Sequence, residues 1–273
     1  MDRIVLDDLE LDYERAGQGE PVVLVHATAF ASWYDPLVAR LPGYATLRYR
    51  RWLRPGAAGA YRPLSTAEDA AACARLMDRV GWPAAHVVGH SYGALVGLQM
   101  ALDHPGRVTS VALLEPAARG VSSSPEIAAA LQPVIAAYRA GDTATAVDAF
   151  LRHVCGDGYR PVLDRAVPEA FEQALDAADL FFQGEMPAVQ QFAFGPDEAR
   201  RVTAPVLNVQ GAATATRFAE GAELVQSWFP RSERLEVPDA GHLLMVQNPD
   251  ALARGLTAFF TRHPAGVSAT HGA

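Results

Sequence analysis

The sequence predicts an α/β fold in which helices cover both faces of a mostly parallel sheet. Short runs rich in β-branched residues alternate with longer segments rich in Ala and Leu, which is the pattern of such a sheet. Several of the short runs are apolar at every position, as is typical of strands buried on both faces. The length of 273 residues, half of them hydrophobic, suits one domain built around an extended sheet.

The elements of the first half follow from periodicity and from helix-end signals. Apolar and polar residues alternate between Ile4 and Arg15, which predicts a hairpin at the edge of the sheet. Apolar residues recur at helical spacing up to Val80, so we predict a helix with Ser65 as its N-cap and Gly81 just past its end. We also predict strands at residues 21–26, 44–49, 86–89 and 108–114, and helices at 34–41 and 92–102.

The rhythm changes between Pro116 and Pro205, where helical segments follow one another without a convincing strand. We therefore predict a helical insertion at residues 117–204, within a core formed by residues 1–116 and 205–263. After the insertion, strands are predicted at 206–210 and 233–237, helices at 219–229 and 251–262, and a flexible tail at 264–273.

Composition and charge exclude several classes of function. The net charge is −8, which disfavours a nucleic-acid partner. All 23 basic residues are Arg, so a Schiff-base lysine, a pyridoxal phosphate attachment and a Walker-type lysine are excluded. Cys73 and Cys155 lie far apart without a CxxC partner, which predicts free thiols. The absence of a signal-like start or a long apolar run predicts a cytoplasmic protein that does not associate with membranes.

One motif carries the strongest chemical signal. Gly89-His90-Ser91-Tyr92-Gly93 matches the G-x-S-x-G nucleophile elbow, and it lies between a predicted strand and a predicted helix. The glycines are needed because neighbouring chains pass close to the strained turn, and the helix behind offers its first amides to an oxyanion. Ser91 is therefore the predicted nucleophile.

With this motif the chain resembles the α/β-hydrolase fold family, and the resemblance extends over nearly its whole length. Residues 23–26, followed by Trp33, are similar to the family's third strand and oxyanion loop. Residues 113–116 are similar to the end of its sixth strand. Residues 238–242 are similar to the loop that carries its catalytic histidine. The resemblance implies an α/β-hydrolase fold in which residues 117–204 form a helical cap over the nucleophile.

The resemblance also implies a catalytic triad, in which His242 is the general base. The family's acid commonly follows the seventh strand, but residues 211–217 contain no carboxylate. Glu115 is the candidate acid because it ends the predicted sixth strand, and Pro116 is expected to hold its backbone extended at the carboxyl edge of the sheet. Asp239 is interpreted as a turn residue.

Main-chain groups are predicted to form the oxyanion hole. The resemblance assigns one donor to the N–H group of Tyr92 and the other to that of Thr28 or a neighbour within residues 26–29. Ala27 stands where the family usually has Gly, and since Ala rarely adopts a positive φ, we expect the loop to be shifted. His26 is predicted to tie this loop to its neighbours, whereas no role is predicted for His90, His104, His153 or His263.

Two further segments bear on the substrate. The basic stretch Arg48–Gly56 is expected to form structural ion pairs beside the site, with a carboxylate-bearing substrate as the alternative. The insertion contains apolar side chains expected to form mostly cap core, with some facing the cleft, which indicates an apolar small-molecule substrate. These are Tyr138, Phe150, Tyr159, Phe171, Phe181, Phe182, Met186, Phe192 and Phe194.

The predicted function is a serine hydrolase that cleaves an ester or lactone of an apolar small molecule through an acyl-enzyme. No cofactor or metal is implied, and the chain is expected to be a monomer or a homodimer. The alternatives are a carbon–carbon bond hydrolase and a non-hydrolytic binder or cyclase on the same fold. The missing carboxylate after the seventh strand and Ala27 both motivate the last of these.

Overall fold

An eight-stranded sheet forms the centre of the computed structural model, which describes residues 1–6, 9–53 and 65–265. The strands are β1 (Asp2–Leu6), β2 (Leu9–Ala16), β3 (Glu20–Val25), β4 (Tyr44–Leu53), β5 (Ala85–His90), β6 (Val108–Leu114), β7 (Val206–Gly211) and β8 (Glu233–Val237). Their order is β1-β2-β4-β3-β5-β6-β7-β8. Strand β2 is antiparallel to β1 and β4, and all other neighbours pair in parallel. The predicted edge hairpin and parallel sheet are confirmed.

Thirteen α-helices are present in the described residues. They are α1 (Asp35–Val38), α2 (Thr66–Arg79), α3 (Tyr92–Asp103), α4 (Ser124–Arg139), α5 (Thr143–Cys155), α6 (Tyr159–Ala166), α7 (Ala170–Asp176), α8 (Ala178–Leu180), α9 (Met186–Gln191), α10 (Pro196–Ala199), α11 (Thr216–Trp228), α12 (Leu244–Gln247) and α13 (Pro249–Arg262). Two 3-10 helices span Thr28–Tyr34 and Pro105–Arg107, and a π-helical turn spans Phe181–Glu185.

The interior strands are buried because helices cover both faces of the sheet. Every residue of β5 is buried, as are the residues of β3 from Val22 onward. Ser65 begins α2 as predicted: its Oγ accepts a hydrogen bond from the Glu68 N–H at 3.2 Å, and the Glu68 carboxylate accepts one from the Ser65 N–H at 2.9 Å. This reciprocal pair satisfies amides that have no acceptor within the helix.

Two elements predicted in the first part of the chain differ from the structure. The helix predicted at residues 34–41 is a 3-10 helix over Thr28–Tyr34 followed by the single turn α1. The strand predicted to end at residue 49 continues to Leu53, so the first part of the basic stretch is strand rather than loop. Most of the predicted tail, from residue 266 onward, lies outside the described residues.

The basic stretch forms structural contacts where it is described. Arg48 pairs with Glu14 on β2 at 2.9 Å and also with Asp35. Arg50 donates a hydrogen bond to Gln173 of α7. The expected ion pairs are therefore present at Arg48, whereas side chains 51–53 and the whole of residues 54–64 lie outside the description.

Residues 117–204, all of which the structure describes, contain seven α-helices and the π-helical turn but no strand. Aromatic contacts connect this segment to the rest of the chain: the Phe30 ring lies 6.5 Å from that of Phe150 and 5.7 Å from that of Phe181, between centroids. The Ser123 hydroxyl donates to the Glu220 carboxylate of α11 at 2.7 Å. The helical segment thus packs against the helices that follow β3 and β7 at the carboxyl edge of the sheet.

Candidate active site

Ser91 occupies a sharp turn between β5 and α3. Its φ of 54° and ψ of −116° lie in a region that residues other than glycine rarely adopt. A Cβ at Gly93 would overlap the Val25 carbonyl oxygen, and one at Gly89 would overlap the Gly93 carbonyl. The two glycines of the motif are therefore required by close backbone approach, as the sequence predicted.

Backbone hydrogen bonds hold this turn against the end of β6. The Ser91 N–H donates to the Leu114 carbonyl at 3.0 Å, and the Ser91 carbonyl accepts from the Ala117 N–H at 3.2 Å. The same carbonyl accepts from the Ala94 N–H at 3.1 Å in the first turn of α3. The strained conformation is thus maintained by three bonds rather than by local preference.

Glu115 follows β6 directly and is fully buried. Its φ is 42°, so the extended backbone predicted from the following proline is wrong. Tertiary hydrogen bonds overcome the local preference: the Glu115 N–H donates to the Val209 carbonyl, and its Oε1 accepts from the Gly211 N–H, both at 2.9 Å. Its Oε2 lies 2.9 Å from Nδ1 of His242. Both carboxylate oxygens therefore have a partner.

His242 lies in the loop between β8 and α12, and its side chain is almost completely buried. The Phe218 ring stacks on the imidazole, with 3.8 Å between centroids and 10° between planes. Burial lowers the pKa of His242, the hydrogen bond to Glu115 opposes this effect, and the charge of Arg217 adds to it. Because Nδ1–H donates to the carboxylate, Nε2 carries the lone pair that a general base needs.

Ser91 and His242 line the same cavity, which has a volume of about 450 Å³. Among the described residues, Ser91 Oγ makes no hydrogen bond with the imidazole. Catalytic hydrogen bonds are often long in unliganded sites and tighten when substrate binds. The structure therefore brings Glu115 and His242 into direct contact and brings Ser91 to the cavity that His242 also faces.

A histidine chain behind the site was missed by the sequence analysis. His26 Nε2 and His90 Nδ1 are 2.7 Å apart, and His90 Nε2 lies 2.9 Å from the carbonyl oxygen of His242. Burial lowers the pKa of His90 well below its ordinary value, so the ring is neutral. The position of His90 beside Ser91 in the motif was the available signal. The expected tie of His26 to a neighbour is present, with His90 as that neighbour.

The two predicted oxyanion donors both begin helices. Tyr92 is the first residue of α3, and Thr28 is the first residue of a 3-10 helix, so neither N–H has an acceptor within its own helix by position. Ala27 has φ −59° and ψ 143°. Any L-residue adopts this conformation, so Ala in place of the family's Gly introduces no backbone strain.

The cavity is mainly apolar. Among the apolar side chains of the insertion singled out above, Phe150, Phe181 and Met186 line it, whereas the other six do not. Its charged lining residues are Arg119, Glu185 and Arg217. His153, to which the sequence analysis gave no role, also lines it. Across residues 1–6, 9–53 and 65–265, no cluster of three His, Cys, Asp or Glu side chains could hold a metal ion.

Cys73 and Cys155 are thiols that are not joined in a disulfide, as the sequence predicted, and Cys73 is buried. No helix in the described part of the chain combines the length and apolar character that a membrane span requires. Asp239 lies in a turn with φ 56°, in agreement with its interpretation as a turn residue.

Comparisons with known proteins show the family to which the chain belongs. A profile of the Alpha/beta hydrolase family matches residues 22–255. The chain is 35% identical over 112 residues to a putative carbamate hydrolase RutD of Variovorax paradoxus, covering 39% of this chain and 42% of that protein. It is 31% identical over 132 residues to a 2-hydroxy-6-oxo-6-phenylhexa-2,4-dienoate hydrolase of Burkholderia cepacia, covering 43% of each. The chain thus spans less than half the length of these curated relatives.

Among solved structures, an enol-lactonase from Burkholderia xenovorans is similar, with a TM-score of 0.80 and 20% identity over 95% of this chain and 100% of that one. At this identity the likeness concerns the fold alone, and it confirms the predicted fold class. The family profile covers most of the chain, including the elbow at Ser91, Glu115 and His242. The chain therefore belongs to the alpha/beta hydrolase family.

Proposed function

We propose that the protein hydrolyses an ester or lactone of a mainly apolar small molecule through an acyl-enzyme on Ser91. The observation that carries this proposal is the 2.9 Å contact between Glu115 and His242, beside a strained serine that lines the same cavity. A carboxylate on Nδ1 holds the imidazole in the tautomer that can accept a proton at Nε2. That arrangement suits proton transfer to and from a serine hydroxyl.

In the first half of the reaction, Ser91 Oγ attacks the substrate carbonyl carbon while His242 Nε2 takes the hydroxyl proton. The carboxylate of Glu115 stabilises the imidazolium that forms. The N–H groups of Tyr92 and Thr28 donate to the oxyanion of the tetrahedral intermediate. When the intermediate collapses, the carbon–oxygen bond to the alcohol breaks and His242 returns its proton to the leaving oxygen.

In the second half, His242 takes a proton from water, and the hydroxide attacks the acyl carbon. The bond to Ser91 then breaks, and the proton on His242 returns to Oγ. The products are an alcohol and a carboxylic acid, and with a lactone both groups belong to one product molecule. The overall reaction consumes one water molecule and requires no oxidant or reductant.

The insertion at residues 117–204 is proposed to act as a cap over a core formed by residues 1–116 and 205–263. Phe150 and Phe181 of this segment line the cavity together with Phe30 of the 3-10 helix after β3. Apolar walls of this kind exclude water and favour apolar acyl or alcohol groups.

A fluorophosphonate probe tests the proposal on the full chain. An activated serine hydroxyl forms a stable phosphonyl ester, so we expect one adduct by mass spectrometry, on the peptide that contains Ser91. The Ser91→Ala variant should keep the far-ultraviolet circular dichroism and lose the adduct. A well-folded wild-type protein that stays unlabelled would contradict the proposal and favour a non-hydrolytic binder or cyclase.

One observation favours carbon–carbon bond hydrolysis as a second candidate. The relative from Burkholderia cepacia named above carries that type of activity in its name. Both functions require an active serine, so the probe does not separate them. Turnover of 2-hydroxy-6-oxo-6-phenylhexa-2,4-dienoate, followed by loss of its absorbance and compared with turnover of p-nitrophenyl butyrate, separates the two candidates.

A further inference from the structure

Arg217 brings a positive charge into the apolar cavity. It lies at the start of α11, in the segment after β7 where the family commonly has its acid, and its side chain is only partly exposed. The other lining cation, Arg119, is exposed to solvent. The lining also contains one acid, Glu185. Within the described residues, both hydrogen-bonding contacts of Arg217 are to His153, and none is to a carboxylate.

The contacts of Arg217 are all with neutral groups. Its two terminal nitrogens contact the ring Nε2 and the backbone carbonyl of His153. Burial and the neighbouring Arg217 lower the pKa of His153 to about 4, so that ring carries no charge at pH 7. The guanidinium carbon lies 4.7 Å from the centroid of the Phe218 ring. None of these contacts neutralises the charge.

The acidic groups nearest to Arg217 make no hydrogen bond with it, and the charge of Glu115 favours the charged form of Arg217 only through space. Both oxygens of Glu115 already accept hydrogen bonds, one from Gly211 and one from His242. Burial raises the pKa of the Cys155 thiol, which therefore stays protonated. Burial also lowers the pKa of Arg217 itself, which reflects the loss of water around the cation.

One donor of the guanidinium remains unused. The Nε of Arg217 is buried and has no hydrogen-bond partner. A desolvated donor on a charged group without an acceptor is costly. A carboxylate is the ligand that matches the planar fork of an arginine, and charge-assisted bonds of this kind are the strong ones.

We propose that Arg217 binds a carboxylate of the substrate, so that the ester or lactone cleaved at Ser91 is an acidic one. This inference rests on the function proposed above. The Phe218 ring contacts both the guanidinium and the imidazole of His242, so a carboxylate bound by Arg217 lies close to the catalytic histidine. The apolar remainder of the substrate occupies the part of the cavity lined by Phe150 and Phe181.

The competing explanation is that Arg217 only ties the core to the insertion through His153. Both explanations predict that loss of Arg217 affects activity, but they differ in which substrates suffer. A purely structural contact between Arg217 and His153 would support the cavity equally for every substrate. A carboxylate site favours substrates that carry the charge.

The experiment compares two substrates that differ in one charge: p-nitrophenyl hydrogen adipate and its neutral methyl ester, methyl p-nitrophenyl adipate. We expect the wild-type protein to prefer the acid substrate in kcat/KM. Arg217→Gln should reduce kcat/KM for the acid substrate at least tenfold more than for the neutral one, because charged hydrogen bonds contribute about 1.5–3 kcal/mol. Arg119→Gln, at the exposed arginine of the same cavity, should leave the ratio of the two values within about threefold of wild type.

A binding measurement separates this inference from the chemistry. Calorimetric titration with p-nitrophenyl hydrogen adipate should give a weaker Kd for Ser91→Ala/Arg217→Gln than for Ser91→Ala, and methyl p-nitrophenyl adipate should not show this difference. Equal losses for both substrates would overturn the carboxylate site and leave the hydrolase in place. A wild-type protein that cleaves neither ester and is not labelled by the fluorophosphonate would instead overturn the proposed function.

Discussion

Two serine–histidine–glutamate clusters lie at opposite edges of one sheet. At the amino edge, Nδ1 of His86 on β5 lies 2.7 Å from the hydroxyl oxygen of Ser110 on β6. Nε2 of the same ring lies 3.4 Å from the carboxylate of Glu20 on β3. Its ring stacks on Phe260, with 4.2 Å between centroids. His86 and Ser110 have no exposed surface. In residue types, this cluster matches a catalytic triad.

At the carboxyl edge, His242 contacts Glu115 through Nδ1 and stacks on Phe218. The serine differs most between the two edges. Ser91 has a positive φ, stands at the start of α3 and lines a cavity, whereas Ser110 lies within the regular strand β6. The imidazole nitrogens are also used differently. Both ring nitrogens of His86 have partners, whereas Glu115 binds only Nδ1 of His242 and leaves Nε2 available.

The comparison shows that residue types and hydrogen bonds do not by themselves make a site. Strands β3, β5 and β6 are parallel, so all three run from the amino edge of the sheet to the carboxyl edge. At the carboxyl edge, β5 leads through the elbow into α3, and Ser91 lines the cavity there. Ligands of open parallel sheets bind at the carboxyl ends of the strands for this reason. Backbone strain and access to substrate distinguish the candidate active site from its buried counterpart.

The largest contrast is expected between the two serines. Ser91→Ala should lower kcat/KM for p-nitrophenyl butyrate by roughly 10⁴-fold or more, because the nucleophile is lost. Ser110→Ala should keep kcat/KM within about threefold of wild type and lower the free energy of unfolding by about 1–3 kcal/mol, because His86 loses a buried partner. Ester kinetics and urea denaturation measure both effects. A Ser110→Ala rate as low as that of Ser91→Ala would contradict the comparison.

A smaller contrast is expected between the two glutamates. Glu115→Gln should fold normally and lower kcat by roughly 10² to 10⁴, because the amide no longer stabilises the imidazolium of His242. Glu20→Gln should leave kcat unchanged. Thr214→Asp, added to Glu115→Gln, tests whether an acid in the segment after β7 can orient His242 instead, with partial recovery expected. Full activity in Glu115→Gln would leave a Ser91–His242 dyad.

The pH dependence is expected to show the smallest effect. Burial lowers the pKa values of both His242 and His86 below the ordinary imidazole value of 6.5. The neutral form of His242 acts as base, so kcat/KM should rise with pH along a limb whose midpoint lies below about 6.5 and be constant above it. His86→Asn should keep this limb. A limb that disappears in His86→Asn, or a rate that falls between pH 5 and pH 8, would contradict the assignment of His242.

Stability should respond to both histidines. Because their pKa values are lower in the folded protein than in the unfolded chain, the unfolded chain binds protons first as the pH falls through about 6.5. Their contribution to the free energy of unfolding is therefore complete above that pH and decreases below it. Denaturation midpoints measured across this range separate the stability of the fold from the titration seen in the kinetics.

Much of the fold and part of the candidate site follow from local sequence. Periodicity located all eight strands, and the strand predicted at residues 108–114 has the observed bounds. The elbow at Ser91 was predictable because its two glycines leave room for neighbouring backbone that a Cβ would overlap. Helix starts were less predictable: α11 begins at Thr216 rather than at residue 219, which puts Arg217 in the first helical turn.

The sequence alone determined the alternation of strands and helices, the nucleophile motif and the absence of lysine chemistry, because these depend on residue type and short spacing. Only the tertiary structure decided that Glu115 contacts His242, 127 positions away in the chain. The tertiary structure also decided the left-handed backbone of Glu115. Hydrogen bonds to Val209 and Gly211 impose this conformation against the local preference. Contacts between distant residues depend on how the strands pack, and periodicity within one strand carries no information about its neighbours.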